Sequence, residues 1–170
     1  MSMQIKYTNF KDGIHRLDFE KSVDKLGLEQ NFIGNVLLFC EMDKSSSQIV
    51  INCNLHLTGK MVCDRCTADF KREFEISFKN IYFFSHGSNQ DEIDEDGIFY
   101  LSPADDKIDL SASVFENALL ALPMKNLCSE DCKGLCPVCG VNRNEVECNC
   151  ETEVHNPVWE PLLKLKGKLN

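Results

Sequence analysis

Cys128-Ser-Glu-Asp-Cys132-Lys-Gly-Leu-Cys136-Pro-Val-Cys139-Gly140, followed by Cys148-Asn-Cys150, places six cysteines within 23 residues. A Cys-x-x-Cys step curls the backbone so that both sulfurs face one centre about 2.3 Å away, the geometry of a tetrahedral zinc site. Gly140 follows the second cysteine of its knuckle, where the turn calls for a positive φ that glycine adopts without penalty. Pro137 fixes φ inside the knuckle, where its missing N–H is tolerated. Two further thiols lie upstream in Cys63-Asp-Arg-Cys66. Eight thiols in this pattern make two complete sets of four, and two Zn²⁺ ions are the expected cofactors.

A disulfide framework is the alternative, and it needs an oxidising compartment. The segment from Met1 to Phe10 has no apolar core of the signal-peptide kind. Apolar stretches such as Val36 to Cys40 fall far short of the roughly 18 residues of a membrane span. A cytoplasmic chain without a membrane segment is therefore expected, and there Cys-x-x-Cys pairs read as metal-binding or redox-catalytic. Redox use would need a thioredoxin-like βαβ setting around one pair, which the sequence does not supply.

The chain has 170 residues, 43% of them hydrophobic, with eleven Phe, enough for one aromatic-rich core plus a small appended module. The formal net charge is −9. A Zn²⁺ held by four thiolates carries −2 overall, so two such sites take the sum to −13. A phosphate backbone repels such a chain, because nucleic-acid binding rests on Lys and Arg displacing counterions. A basic protein is attracted to it.

Residues Gln4 to Phe10 and His15 to Phe19 read as short strands about a Lys11-Asp12-Gly13 turn, and Phe19 to Leu28 as a short helix ending near Gly27. Val36 to Met42 reads as an apolar strand that turns at Lys44 to Ser47. Ile49, Ile51, Cys53, Leu55 and Leu57 alternate with polar neighbours, the period of a strand with one buried face. Phe70, Phe74, Ile76 and Phe78 repeat that period, so the Cys63/Cys66 knuckle is expected at the tip between two long strands. Cys40 and Cys53 fall inside strand patterns and read as small buried hydrophobes. Asn89 to Asp109 is acidic and reads as a solvated loop with a strand near Phe99 to Leu101; it lacks the order of a calcium loop. Ser113-Val-Phe-Glu116 has the form of a capping box, in a helix that starts as early as Ser111. Val114, Ala118, Leu119 and Leu122 are expected on its apolar face, and Pro123 ends it. A second short helix is expected over Pro157 to Leu165, followed by a soluble tail bearing Lys164, Lys166 and Lys168.

The expected fold is α+β: an antiparallel sheet or partly open barrel with one main helix, over residues 1–126. Residues 127–170 form a cysteine-rich, zinc-ribbon-like module with a tail. Within it Cys136, Cys139, Cys148 and Cys150 form one local set, leaving Cys63, Cys66, Cys128 and Cys132 to share the other ion. The competing partition joins Cys63/Cys66 to Cys136/Cys139 and strands Cys128/Cys132 beside Cys148/Cys150; it is chemically as good but less regular in spacing. His56, His86 and His155 have no partner at ligand spacing. A catalytic zinc keeps one open position, which four thiolates do not leave. No catalytic triad order, Gly-rich phosphate loop or His-Glu-x-x-His helix is present, so no enzyme activity is expected.

The sequence from Cys63-Asp-Arg-Cys66 through the helix ending at Leu122-Pro123, then Cys132-Lys-Gly-Leu-Cys-Pro-x-Cys-Gly-x-Asn and Cys148-x-Cys150, resembles the YceD family. These are bacterial and plastid proteins linked to accumulation of the large-subunit (23S) ribosomal RNA. The resemblance spans most of the chain and implies a cytoplasmic, non-catalytic factor in synthesis, processing or stability of that RNA. It also implies that the thiols at 63, 66, 128 and 132 form one site and the last four a separable second. This chain departs from the family at Asn142-Arg143-Asn144, where Asn-Leu-Asn is usual, a change expected to touch packing near the second site.

Charge and resemblance together favour an adaptor that meets ribosome assembly through a basic ribosomal or RNA-processing protein, with rRNA reached indirectly. A direct RNA-binding module ranks second. It would need Arg65, Lys71, Arg72, Lys133, Arg143 and the terminal lysines on one face, with Tyr82 or Trp159 exposed for stacking. A metal-dependent or thiol-redox enzyme is a distant third.

Overall fold

The structure is a computed structural model describing residues 3–84 and 97–150. The chain forms two compact units, Met1–Val62 with Asp69–Asn126 and Cys63–Ala68 with Leu127–Asn170. In the first unit β1 (Gln4–Ile5) and a 3₁₀ turn (Tyr7–Asn9) precede β2 (Gly13–Ser22), and a second 3₁₀ turn (Val23–Leu26) precedes β3 (Phe32–Lys44). Then come β4 (Gln48–Val62), β5 (Asp69–Phe84), β6 (Ile98–Leu101), β7 (Ile108–Asp109) and α1 (Ser111–Leu120).

Strands β2 to β6 make one five-stranded sheet in sequence order, and β1 pairs with β7 in a small second one. β2 to β5 are antiparallel and β6 runs parallel to β5. Among the described residues the sheet is thus mixed and open, with β2 and β6 at its edges, and it is not a closed barrel. Alternation along β4 explains its position: Ile49, Ile51, Cys53, Leu55 and Leu57 are all buried. Each such aliphatic side chain contributes roughly 1.5–3 kcal/mol by leaving water. Val36, Leu38, Cys40 and Met42 on β3 bury the same face, and Val114 and Ala118 of α1 join that core. Cys40 and Cys53 sit directly opposite each other with Sγ atoms 3.1 Å apart.

Three local readings are corrected. The hairpin about Lys11-Asp12-Gly13 does not form, because β1 pairs with β7 and its Ile5 is buried opposite Ile108. No α-helix spans 19–28. β2 runs on to Ser22, since Leu17 and Phe19 pack at strand spacing against the core, and one 3₁₀ turn follows, closed by Gly27 at φ 72°. The helix does begin at Ser111, but Ser113 caps nothing. Asp109 Oδ1 accepts from the Ser111 N–H at 2.9 Å, while Ser113 Oγ accepts from Asn80 Nδ2 at 2.8 Å inside the core. Leu119 faces outward, and Leu122 packs against the core as expected. The segment Pro157 to Leu165, Trp159, the terminal lysines, His86, His155 and residues 89–96 of the acidic stretch lie outside the described residues. Among those described, no helix is long and apolar enough to cross a membrane.

Candidate metal centres

Two knuckles in the second unit are built alike. The N–H of Thr67 donates to Cys63 O at 2.9 Å, and the Cys63 N–H donates to Ala68 O at 2.9 Å. Gly140 N–H donates to Cys136 O at 2.9 Å, and Cys136 N–H to Val141 O at 2.8 Å. The residue four past each leading cysteine takes a positive φ, 57° at Thr67 and 75° at Gly140. Gly140 meets the sequence expectation, whereas a β-branched threonine in this conformation is an outlier that composition does not reveal.

Cys63, Cys66, Cys128 and Cys132 bring their sulfurs within 4.8 Å of one another, and Cys136, Cys139, Cys148 and Cys150 do the same. The structure therefore makes the first of the two partitions. Sγ–Sγ distances in the first set are 3.7 Å for Cys63–Cys132 and 3.6 Å for Cys66–Cys128. Four sulfurs placed tetrahedrally at 2.3 Å from a common centre stand about 3.8 Å apart, whereas a disulfide needs about 2.05 Å. The donor set fits a metal ion. Cys63, Cys66 and Cys132 are buried and Cys128 is exposed; in the second set Cys136 is buried, Cys139 is exposed and the other two lie between.

The backbone prepares the leading sulfur of each knuckle for negative charge. Burial pushes the Cys63 thiol up, but the N–H groups of Cys128, Cys66 and Arg65 point at its sulfur and bring it down to about 6. The N–H groups of Cys139 and Val138 bring Cys136 to about 6 against burial. Other thiols move the opposite way. The Ala68 N–H pulls Cys66 down, yet burial and the thiols of Cys63, Cys132 and Cys128 leave it pushed up to about 12. The Cys139 thiol, burial and Cys136 push Cys150 up to about 12. Crowded thiols resist joint ionisation, and a shared cation removes that conflict.

Residues the sequence reading used otherwise brace the first set. Arg65 Nη1 donates to the carbonyls of Cys132 at 2.9 Å and Glu130 at 3.3 Å, which fixes the 128–132 loop. The Leu135 N–H donates to Arg65 O at 2.9 Å. Gly134, at φ 72°, lets that approach happen, since a Cβ there would lie 3.0 Å from Arg65 O. Asn144 Nδ2 donates to Cys132 Sγ at 3.3 Å while its Oδ1 accepts from the Lys133 N–H at 2.7 Å. Through Asn144 the Asn142 to Asn144 segment thus serves the first set of thiols, and Arg143 between the two asparagines is exposed. Tyr82, offered as a stacking platform, is buried and its hydroxyl accepts from Asn80 Nδ2 at 3.1 Å.

The family described as large ribosomal RNA subunit accumulation protein YceD matches residues 51–166, a span containing all eight clustered cysteines. The uncharacterized protein YlbN of Bacillus subtilis is 31% identical over 128 residues, covering 71% of this chain and 70% of that one. The uncharacterized protein Rv2926c of Mycobacterium tuberculosis is 27% identical over 105 residues, 62% of this chain and 49% of its own, so this chain spans about half the length of that relative. A chloroplast protein of Arabidopsis thaliana, large ribosomal RNA subunit accumulation protein YCED homolog 1, is 29% identical over 77 residues, 45% of this chain and 24% of that one. No solved structure matches.

Proposed function

Since this chain belongs to the YceD family, we propose that it is a non-catalytic zinc protein supporting synthesis, processing or stability of 23S rRNA in large-subunit biogenesis. The family match spanning both thiol sets carries the reading. Cys63, Cys66, Cys128 and Cys132 would hold one Zn²⁺, and Cys136, Cys139, Cys148 and Cys150 the other. Bound there, zinc supplies closed coordination and no open position for substrate, which is the chemistry of a staple. The first site joins stretches 62 residues apart, so its binding energy is folding energy. The protein acts in the cytoplasm through a basic ribosomal or RNA-processing protein, as its charge of −9 favours. Direct grip on rRNA is the weaker alternative, because Tyr82 is buried and Arg65 is engaged with backbone carbonyls.

The test is deletion of the gene and complementation with wild type or Cys63→Ser/Cys66→Ser. The expected result is a fall in 23S relative to 16S rRNA that wild type restores and the variant does not. An unchanged ratio on deletion would end the proposal. Elemental analysis of the purified chain should give two zinc ions; four thiols recovered as disulfides would refute the metal assignment.

A further inference from the structure

Among the described residues, the sheet of the first unit buries one face and leaves side chains of the other exposed. On the open face Asp18 stands opposite Phe39, Phe39 opposite Asn54, and Asn54 opposite Ser77. One row away Arg16, Glu41, Asn52 and Lys79 align, and on the other side Glu20, Leu37, His56 and Glu75. Phe39 is 43% exposed and Leu37 38%, large apolar groups in the middle of a charged surface. A hollow of about 370 Å³ opens beside the Phe39 ring, lined by Arg16, Asp18, Glu41, Asn52 and Asn54.

We infer that this hollow is the docking site for an arginine side chain on a basic protein partner. The occupant follows from charge and shape. A guanidinium stacks on an aromatic ring and donates in a plane to carboxylates and amide oxygens. Here Phe39 supplies the ring, Asp18 and Glu41 the carboxylates, and Asn52 and Asn54 the amide oxygens. Asn54 Oδ1 already accepts from Ser77 Oγ at 2.7 Å, which aims that amide. The His56 ring packs beside the Phe39 ring, nearly perpendicular, with centroids 5.6 Å apart. The cation already present is held weakly: Arg16 Nε lies 3.6 Å from Glu41 with its side chain 85% exposed. An incoming arginine displaces it from Glu41. Around the hollow Glu20, Asp43 and Glu75 extend the negative field, which Arg16 and Lys79 oppose from the Glu41 row. This inference names the contact surface of the basic partner and so rests on the functional reading above.

The experiment titrates the zinc-loaded full chain with the peptide acetyl-Gly-Arg-Gly-Arg-Gly-amide and with its lysine counterpart, followed by amide NMR shifts. Saturable binding is expected, stronger for the arginine peptide, with the largest shifts at Phe39, Asn52 and Asn54. Phe39→Ala, and separately Asp18→Asn with Glu41→Gln, should each weaken it about tenfold. These positions are on the solvent face, so the sheet is retained, and unchanged shifts of core residues check that. Non-saturable binding, equal response to both peptides, or indifference to the variants overturns the inference. If 23S rRNA still depends on the protein in that event, the functional reading stands and only this surface falls.

Discussion

Asn144 Nδ2 donates to Cys132 Sγ across 3.3 Å, and the other end of the same amide accepts from the Lys133 N–H at 2.7 Å. A single side chain thereby fixes both a sulfur of the first thiol set and the backbone beside it. Outer groups of this kind orient ligands and temper their charge, and their loss commonly costs 10–100-fold in metal affinity.

Asn144→Ala should therefore weaken zinc at the first site by about tenfold or more while sparing the second. Competition with a chromophoric chelator would resolve two release phases, of which only one accelerates in the variant. Equal acceleration of both, or of neither, would contradict the assignment.

Thr67 and Gly134 make opposite predictions. Thr67 holds φ 57°, a conformation that costs an L-residue about 1–2 kcal/mol, so Thr67→Gly should be neutral or stabilising by up to about 1 kcal/mol. Gly134→Ala places a methyl 3.0 Å from Arg65 O at φ 72° and should destabilise by about 1–3 kcal/mol. Thermal unfolding of the zinc-loaded variants measures both signs.

Cys40 and Cys53 are a buried cross-strand pair rather than part of either set. The hydrogen bond with the Cys40 thiol, and then burial, push the Cys53 thiol upward, away from the thiolate a metal would need. Cys40→Ala with Cys53→Ala should lower stability by a few kcal/mol through lost packing and leave two zinc ions per chain. A drop in zinc content would place these thiols in a metal site.

Burial pushes the Tyr82 hydroxyl up to about 12, although its hydrogen bond from Asn80 works the other way. The unfolded chain releases this proton near pH 10 and the folded chain does not until about 12, so the unfolded state binds fewer protons between them. Stability contributed by neutral Tyr82 is complete below pH 10 and falls as pH rises through that window. Tyr82→Phe should flatten the alkaline decline seen in urea unfolding at pH 9 to 11.5. An identical slope in both proteins would show that another group controls it.

Much of the framework was legible because its signals are local. The alternation from Ile49 to Leu57 fixes which face of β4 is buried whatever its neighbours, and spacing alone makes Cys136-Pro-Val-Cys139-Gly140 a knuckle. Where the reading failed, two periodicities competed over few residues. Phe19 and Val23 fit a helix as well as a strand running into a turn, and only Leu17 and Phe19 packing on the core decided for β2. Ser113 matched a capping box, but the pull of buried Asn80 took its hydroxyl into the core.

By itself the sequence offered the donor chemistry: eight clustered thiols, four of them in Cys-x-x-Cys steps, a net negative charge, and strands long enough to bury a face. Tertiary structure decided the rest, namely that Cys66 meets Cys128 across 62 residues, that Asn144 reaches Cys132, and that Phe39, Asp18 and Asn54 share one open face. Residue type and near spacing are written along the chain, whereas these meetings depend on which distant segments close upon one another. That closure is set by the burial of a whole core, to which no single stretch holds the answer.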